Sequence, residues 1–319
     1  MNAPMYREQP ILAVSSCLLG MNVRYDGNNK HHLFISSLLN KHFDLFPVCP
    51  EVAIGMGVPR PPIQVRIIGN EIHAILIDDH DVDVTASLQA YARQLVTHVR
   101  AFCGYIFKSR SPSCGISDTE IFSDHGISAE SGIYAREIIH ALPYLPVIDE
   151  IQLDQAEAKD NFLERVFSLE RWHQLGTSPM TLSYLADFHT MHHLTLAAHE
   201  NEAYVALSET ISNLREPLSH DAINDYLKQF HDCLKTPLTH RRHVRMLTNL
   251  QNFLAPIISR DEKERLYTAI TDYRDNPGKL VMPLKHIKQL AHSYNLYDLA
   301  RQAYINPTPA EMALRYSEQ

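Results

Sequence analysis

Near residue 150 the hydrophobic period of this 319-residue chain changes, and that change limits the possible folds more than any other feature. Before it, short runs such as ILAVSS, LFISSLLN, DLFPVC, QVRIIG, EIHAILI, GYIFK and LPVIDE alternate with amphipathic segments, among them VTASLQAYARQLVTHVRAF and GIYAREIIHAL. Strands interleaved with helical patterns predict an α/β N-terminal domain with a mainly parallel, Rossmann-like sheet. The paired runs around Gly69-Asn70 predict a hairpin, since both residues tolerate the positive φ of a tight turn. After Glu150 nearly everything has helical period, from IQLDQAEAKDNFLERVFSLERW to the end, with Pro179, Pro217, Pro237, Pro277 and Pro283 as breaks. This half is expected to be an all-α C-terminal domain. The expected division is 1–150 for the α/β domain, 151–180 for a helical linker and 181–319 for the helical domain.

A chain that is 45% hydrophobic and of this length can build two proper cores. Net charge is −8, but unevenly distributed: 12 Lys+Arg face 18 Asp+Glu up to residue 159, and 17 face 19 beyond it. The second half can therefore present a local basic face. Five cysteines are no secreted disulfide framework, and Val14-Ser15-Ser16-Cys17 lacks the positive, apolar stretch upstream that a lipoprotein signal needs. No run approaches the roughly 18 apolar residues of a membrane span. The expectation is a cytoplasmic protein with reduced thiols and no membrane partner.

Three cysteines fall where strands end. Cys17 follows ILAVSS, Cys49 closes DLFPVC, and Cys114 lies in SRSPSCG just past GYIFK. In open α/β sheets ligands bind at the carboxyl ends of the strands, so these residues can converge. Three readings stay open at this point: unrelated buried thiols, a zinc site, or an iron-sulfur site. Structural zinc prefers closely paired ligands and a closed set of four, and none of the three cysteines has a partner at that spacing. A 4Fe-4S cluster usually takes four thiolates, so three would leave one iron open to a substrate. Cys49-Pro50-Glu51 places a carboxylate beside one thiol, and Lys108 to Gly115 brings two cations and three hydroxyls to another. GMGVPRP is no dinucleotide fingerprint and has no helix after it.

The segments CLLGMNVRYDG, CPEVAIGMGVPRPPI and KSRSPSCGI, in this order and at these separations, closely resemble the TudS-like thiouracil desulfidases. The resemblance spans about the first 150 residues. It implies a 4Fe-4S cluster held by Cys17, Cys49 and Cys114, whose fourth iron takes sulfur from a thiocarbonyl base, with Glu51 and Ser111 as catalytic residues. In that chemistry Glu51 deprotonates a water and later protonates the ring nitrogen, while Ser111 holds the water or the developing anion. The alternative for Glu51 is a structural cap or a salt bridge to Arg60 or Arg66.

LADFHTMHHLTLAAH, THRRHVRMLTNLQNF and KLVMPLKHIKQLAHSYNLYDLARQAYINPTP resemble the helical domain fused to TudS in YbgA-type proteins, over roughly residues 184 to 309. Chains with both parts resemble the RudS-like desulfidases, which implies 4-thiouridine in tRNA as substrate and the helical part as the RNA-binding module. This chain has more histidines and fewer lysines than typical members. Candidate RNA contacts are Arg241, Arg242 and Arg245, extended by Lys285 and Lys288, with Lys279 and Arg301 further along, the alternative for this run being a solvated helix face. His189 and His193 stand i, i+4 and could share a helical face toward a metal, toward RNA, or toward a neighbouring helix. Cys233 reads as a packed thiol, and Cys103 as a packed thiol or, being close in sequence to GYIFK, a spare ligand. Two other functions remain open: a desulfidase of free 2- or 4-thiouracil whose helical domain serves oligomerisation, and a non-enzymatic metal-binding protein.

Overall fold

The computed structural model describes residues 9–99, 101–175 and 180–315. The chain divides into two compact units, Met1–Phe162 and Leu163–Gln319, with the boundary inside a helix. The first unit contains β1 (Ile11–Ser15), β2 (Asp44–Val48), α1 (Pro50–Ala53), β3 (Ile63–Ile68), β4 (Glu71–Leu76) and α2 (Thr85–Val99). It continues with β5 (Gly104–Phe107), β6 (Thr119–Ser123), β7 (Gly126–Glu130), α3 (Ile133–Ala141), β8 (Val147–Asp149) and α4 (Glu150–Leu153), and ends within α5 (Ala156–Gln174).

Four strands form the principal sheet in the order β2-β1-β5-β8, all parallel, as the alternating pattern predicts. Its centre is dry: Leu12, Ala13, Val14, Tyr105, Ile106 and Phe107 have no exposed surface, in keeping with the near-continuous apolar runs of a sheet covered on both faces. The order places the ends of β1, β2 and β5, the strands that precede the three cysteines, next to one another. A second sheet, β4-β3-β6-β7, carries the predicted hairpin, with Gly69 at φ 65° in the β3–β4 turn. LFISSLLN is helical instead of extended: residues 34 to 41 form tight and wide turns, and Ile35 and Leu39, four apart, are its buried pair.

The second unit is all helical, with α6 (Leu182–Met191), α7 (His193–His199), α8 (Asn201–Asn213), α9 (His220–Cys233), α10 (His240–Leu254), α11 (Arg260–Asp275), α12 (Val281–Ser293), α13 (Tyr297–Ala300) and α14 (Pro309–Arg315). Side-chain caps explain several starts. Thr181, Ser219 and Thr239 each accept a backbone N–H of the first turn, and Ser259 with Glu262 closes a reciprocal capping box. Pro283 does not end a helix, because it lies in the first turn of α12, where no intrahelical N–H is lost. Pro179 lies outside the described residues. Along α10 the buried side is His243, Met246, Leu247, Leu250 and Leu254, a helical stripe that joins α11 and α12 in one core. Among the described residues no helix is long and apolar enough to cross a membrane.

Candidate active site

Three local structures present the three cysteines. After β1 the chain enters a tight turn, Ser16–Leu19, closed by Gly20 at φ 86°, and the Cys17 carbonyl accepts the Lys30 N–H at 2.9 Å. After β2, Cys49 is the cap residue of α1, whose first position is Pro50 and whose first turn holds Glu51. After β5 the chain runs through Lys108 and Ser109, passes Arg110 at φ 51° and turns at Ser111 to Cys114. That last turn is held by the Ser111 hydroxyl oxygen, which accepts the N–H groups of Ser113 at 3.3 Å and Cys114 at 3.1 Å. It is seated against Gly132, where a Cβ would lie 2.6 Å from the Pro112 carbonyl oxygen.

These turns enclose one cavity of about 600 Å³, lined by Cys17, Cys49, Cys114, Glu51 and Ser111 together. All five residues expected from the sequence therefore meet at one sheet edge. Cys17 and Cys114 are buried and Cys49 half-buried. Burial pushes the Cys17 thiol up to about 11, with Lys108 opposing the shift. Burial also raises Cys49, and raises Cys114 well above the ordinary thiol range, with Glu51, Cys49 and Cys17 adding to it. The thiols thus lie close enough to influence one another. Even so, among the described residues no three His, Cys, Asp or Glu side chains converge tightly enough to hold a single metal ion. Cys103 and Cys233 are buried, and neither is among the described residues that line this cavity.

Glu51 is held on both oxygens. Arg60 Nε donates to Oε2 at 2.8 Å, and the Ser113 hydroxyl donates to Oε1 at 2.8 Å. Arg60 is itself buried and donates through Nη1 to the carbonyls of Val23, at 2.9 Å, and Gly57, at 3.0 Å. This is the salt bridge anticipated as Glu51's alternative role, but it does not exhaust the carboxylate, which has about four lone-pair sites. Ser111 has a matching asymmetry: its oxygen accepts two N–H groups, and among the described residues no acceptor takes its own proton.

Sequence reasoning placed Lys108 and Ser113 beside Cys114 without giving either a partner, and it passed over Glu150. Glu150 follows β8 and accepts from Lys108 Nζ, from the Ser109 N–H and from the Ser109 hydroxyl. The fourth strand of the sheet thereby contributes to the same edge. The only sequence signal is that LPVIDE ends on carboxylates. Arg24, Lys30, Arg60, Lys108 and Arg110 line the cavity with two carboxylates, Glu51 and Glu150. This site is electropositive within a chain of net charge −8.

In the helical unit Arg241, Arg242 and Arg245 line one cavity on α10. Arg242 and Arg245 also line another of about 340 Å³ together with Glu200 and Glu202, so carboxylates offset part of that charge. Lys285 and Lys288 are exposed on α12, and neither lines a described cavity with the arginines. His189 and His193 do not share one helix, because the chain breaks at His192, which caps α6 and precedes α7. His189 spends both ring nitrogens inside the protein, on Ser208 at 2.9 Å and Tyr226 at 3.3 Å, and both imidazoles stack on Tyr204. That is a helix-packing role.

Comparison with known proteins separates the chain close to the same boundary. Residues 12–150 match the family model described as 2-thiouracil desulfurase, and residues 193–309 match a family described as a protein of unknown function, DUF1722. The solved structure of the 4Fe-4S-dependent thiouracil desulfidase TudS is 29% identical, over 47% of this chain and 95% of that one, with a TM-score of 0.37. No curated protein matches. By these matches the chain is similar to the 2-thiouracil desulfurase family over its first region and to the DUF1722 family over its second.

Proposed function

We propose that this protein is an iron-sulfur-dependent desulfidase that converts a thiolated uracil base to uracil, with 4-thiouridine in tRNA as its substrate. One observation carries the reading: turns after three adjacent parallel strands bring Cys17, Cys49 and Cys114 to the wall of one cavity with Glu51 and Ser111. The matched family's description supports a thiolated base as substrate. Three cysteines on one cavity wall suit a 4Fe-4S cluster, because three thiolates leave its fourth iron open to a substrate. Bound there, the cluster would supply an open Lewis-acidic iron toward a soft thiocarbonyl sulfur.

The chain's own residues account for the rest of the chemistry. The reaction is hydrolytic and non-redox: water oxygen replaces sulfur on the ring carbon, the C–S bond breaks, and hydrogen sulfide leaves with one water proton and the proton that the ring nitrogen gives up. Glu51, anchored by Arg60 and Ser113, takes a proton from the water and returns it to the ring nitrogen. Ser111 donates a hydrogen bond from its hydroxyl to the developing anion. The electropositive lining stabilises that anion and attracts a phosphate-bearing substrate. Arg241, Arg242, Arg245, Lys285 and Lys288 supply phosphate contacts for tRNA. Five free cysteines fit work in the reducing cytoplasm.

The decisive experiment reconstitutes the protein anaerobically and follows loss of the thiocarbonyl from thiolated tRNA and, in parallel, from free thiouracil. Turnover of tRNA well above the free base supports the reading. A cavity of about 600 Å³ also holds a free base in full, which favours the second reading, and turnover of free thiouracil alone would establish it. Iron-loaded protein that acts on neither overturns both.

A further inference from the structure

We infer that Tyr25 is the surface on which the pyrimidine ring of the substrate stacks in the cavity. The inference rests on the desulfidase reading and names how that site recognises its base. Tyr25 is the one aromatic side chain in the described lining, and the remainder of the wall is polar, charged or aliphatic, as at Val48, Ile63 and Ile77. Among the described residues a planar base entering this cavity has no other ring to lie against.

The ring is also available. Tyr25 is 43% exposed although it borders the cavity, and among the described residues its ring partner is the Arg24 guanidinium, 5.5 Å from the centroid. No described residue hydrogen-bonds its hydroxyl. An exposed tyrosine held this loosely does little for the core.

What is fixed is the backbone beneath it. The Arg60 N–H donates to the Tyr25 carbonyl at 2.9 Å, and the Arg24 N–H donates to the Asn28 carbonyl at 3.1 Å. The Gly27 N–H donates to the Arg24 carbonyl at 3.0 Å, with Gly27 at φ 75°, and the Lys30 N–H returns the chain to the Cys17 carbonyl. The same Arg60 anchors Glu51. The turn that displays Tyr25 is thus tied to one cysteine and to the carboxylate, so the backbone from which the ring projects has a set position relative to both. None of these bonds uses the Tyr25 side chain, and replacing it spares the loop.

Base–aromatic stacking contributes a free energy that corresponds to about tenfold or more in affinity, and it requires a flat ring. The test measures binding of uridine and of dihydrouridine, whose saturated ring is puckered, to the iron-loaded full-length protein. Tyr25→Ala and Tyr25→Leu should each weaken uridine about tenfold, leave dihydrouridine unchanged and retain full iron content, and Tyr25→Phe should restore uridine binding. Unchanged uridine affinity in the Ala and Leu variants overturns the inference. So does equal weakening of both ligands, which would mark a loop-shaping role. Wild-type protein that binds neither ligand and desulfurates no thiolated base overturns the desulfidase reading itself, a result distinct from either.

Discussion

The two units handle titratable side chains in opposite ways. The α/β unit gathers thiols, carboxylates and cations from loops far apart in sequence onto one open sheet edge. The helical unit buries many of its own and uses them internally. Glu164 bonds His199 at 2.9 Å and pairs with Arg315, and Glu311 pairs with Arg171, all among buried or nearly buried side chains. His192 and His231 have no exposed surface at all. The difference follows from geometry. Parallel strands all end at the same edge and deliver unrelated loops to one place, whereas packed helices spread their ends apart and confine polar groups to buried networks or long exposed faces.

The largest expected effect tests the convergence directly. Cys17→Ser, Cys49→Ser and Cys114→Ser should each fail to retain iron after anaerobic reconstitution, while Cys103→Ser and Cys233→Ser should keep it, as read by iron and sulfide analysis. A Cys114→Ser protein with full iron would remove the basis of the comparison.

A smaller effect separates holding from chemistry. Glu51→Gln and Ser111→Ala should keep the cluster and lose about 10² to 10⁴ in rate, the usual worth of a general acid or base. Glu51→Gln also weakens the anchor of a buried arginine, so a melting curve belongs with the assay. Near-normal turnover with lowered thermal stability would assign Glu51 to its salt bridge alone.

The helical surface should respond more gently. Arg241→Glu, Arg242→Glu and Arg245→Glu combined should weaken tRNA binding and lower the salt dependence of its affinity by about one log-slope unit for each phosphate left without its cation. Because Glu200 and Glu202 share a cavity with Arg242 and Arg245, Arg241 should contribute at least as much as either. An unchanged salt slope would move the RNA-binding surface elsewhere and favour the free-base substrate.

The smallest effect is a pH dependence of stability in the helical unit. Burial pushes His192 down to about 3 and His189 to about 4, and also holds His231 well below the ordinary imidazole range. The unfolded chain binds protons near the ordinary histidine value of about 6.5, which the folded chain resists. Stability is therefore complete above that pH and is lost as pH falls from about 6.5 toward the folded values. Burial works against the charge on Glu164, but Arg315 and His199 hold it well below the carboxylate range, so its contribution is lost only at still lower pH. Melting temperatures of the full chain, followed by helical circular dichroism, should fall steadily from pH 6.5 to 4. A flat profile over that range would show that the buried imidazoles take up protons in the folded chain as readily as in the unfolded one.

Much of the α/β unit was legible because burial leaves a local mark. Apolar runs marked β1, β2, β5 and β8, and Gly69-Asn70 marked the β3–β4 turn. The β6–β7 hairpin left no such mark, since every residue of β7 is exposed and no alternation survives. LFISSLLN misleads because its β-branched and aromatic residues suit a strand, while burial falls on Ile35 and Leu39, one helical turn apart. LADFHTMHHLTLAAH reads as one helix. The break comes from His192, whose ring turns inward and hydrogen-bonds the Phe188 carbonyl at 2.9 Å, an event of packing and not of propensity.

For the site, sequence by itself determined the residue types: three thiols, each just past a strand, with a carboxylate and hydroxyls beside them. Local composition and period suffice for that, because a strand and the turn that ends it are written in adjacent residues. Tertiary structure decided which groups meet and in what state. The order β2-β1-β5-β8 placed the three turns side by side. Only the fold could join Glu51 to both Arg60 and Ser113, 62 positions away in the second case, leave the Ser111 proton without an acceptor among the described residues, bring Glu150 to Lys108 and turn Tyr25 to the cavity wall. Such pairings depend on strand order and loop path, long-range choices set by how the whole core packs, and no short stretch of the chain contains them.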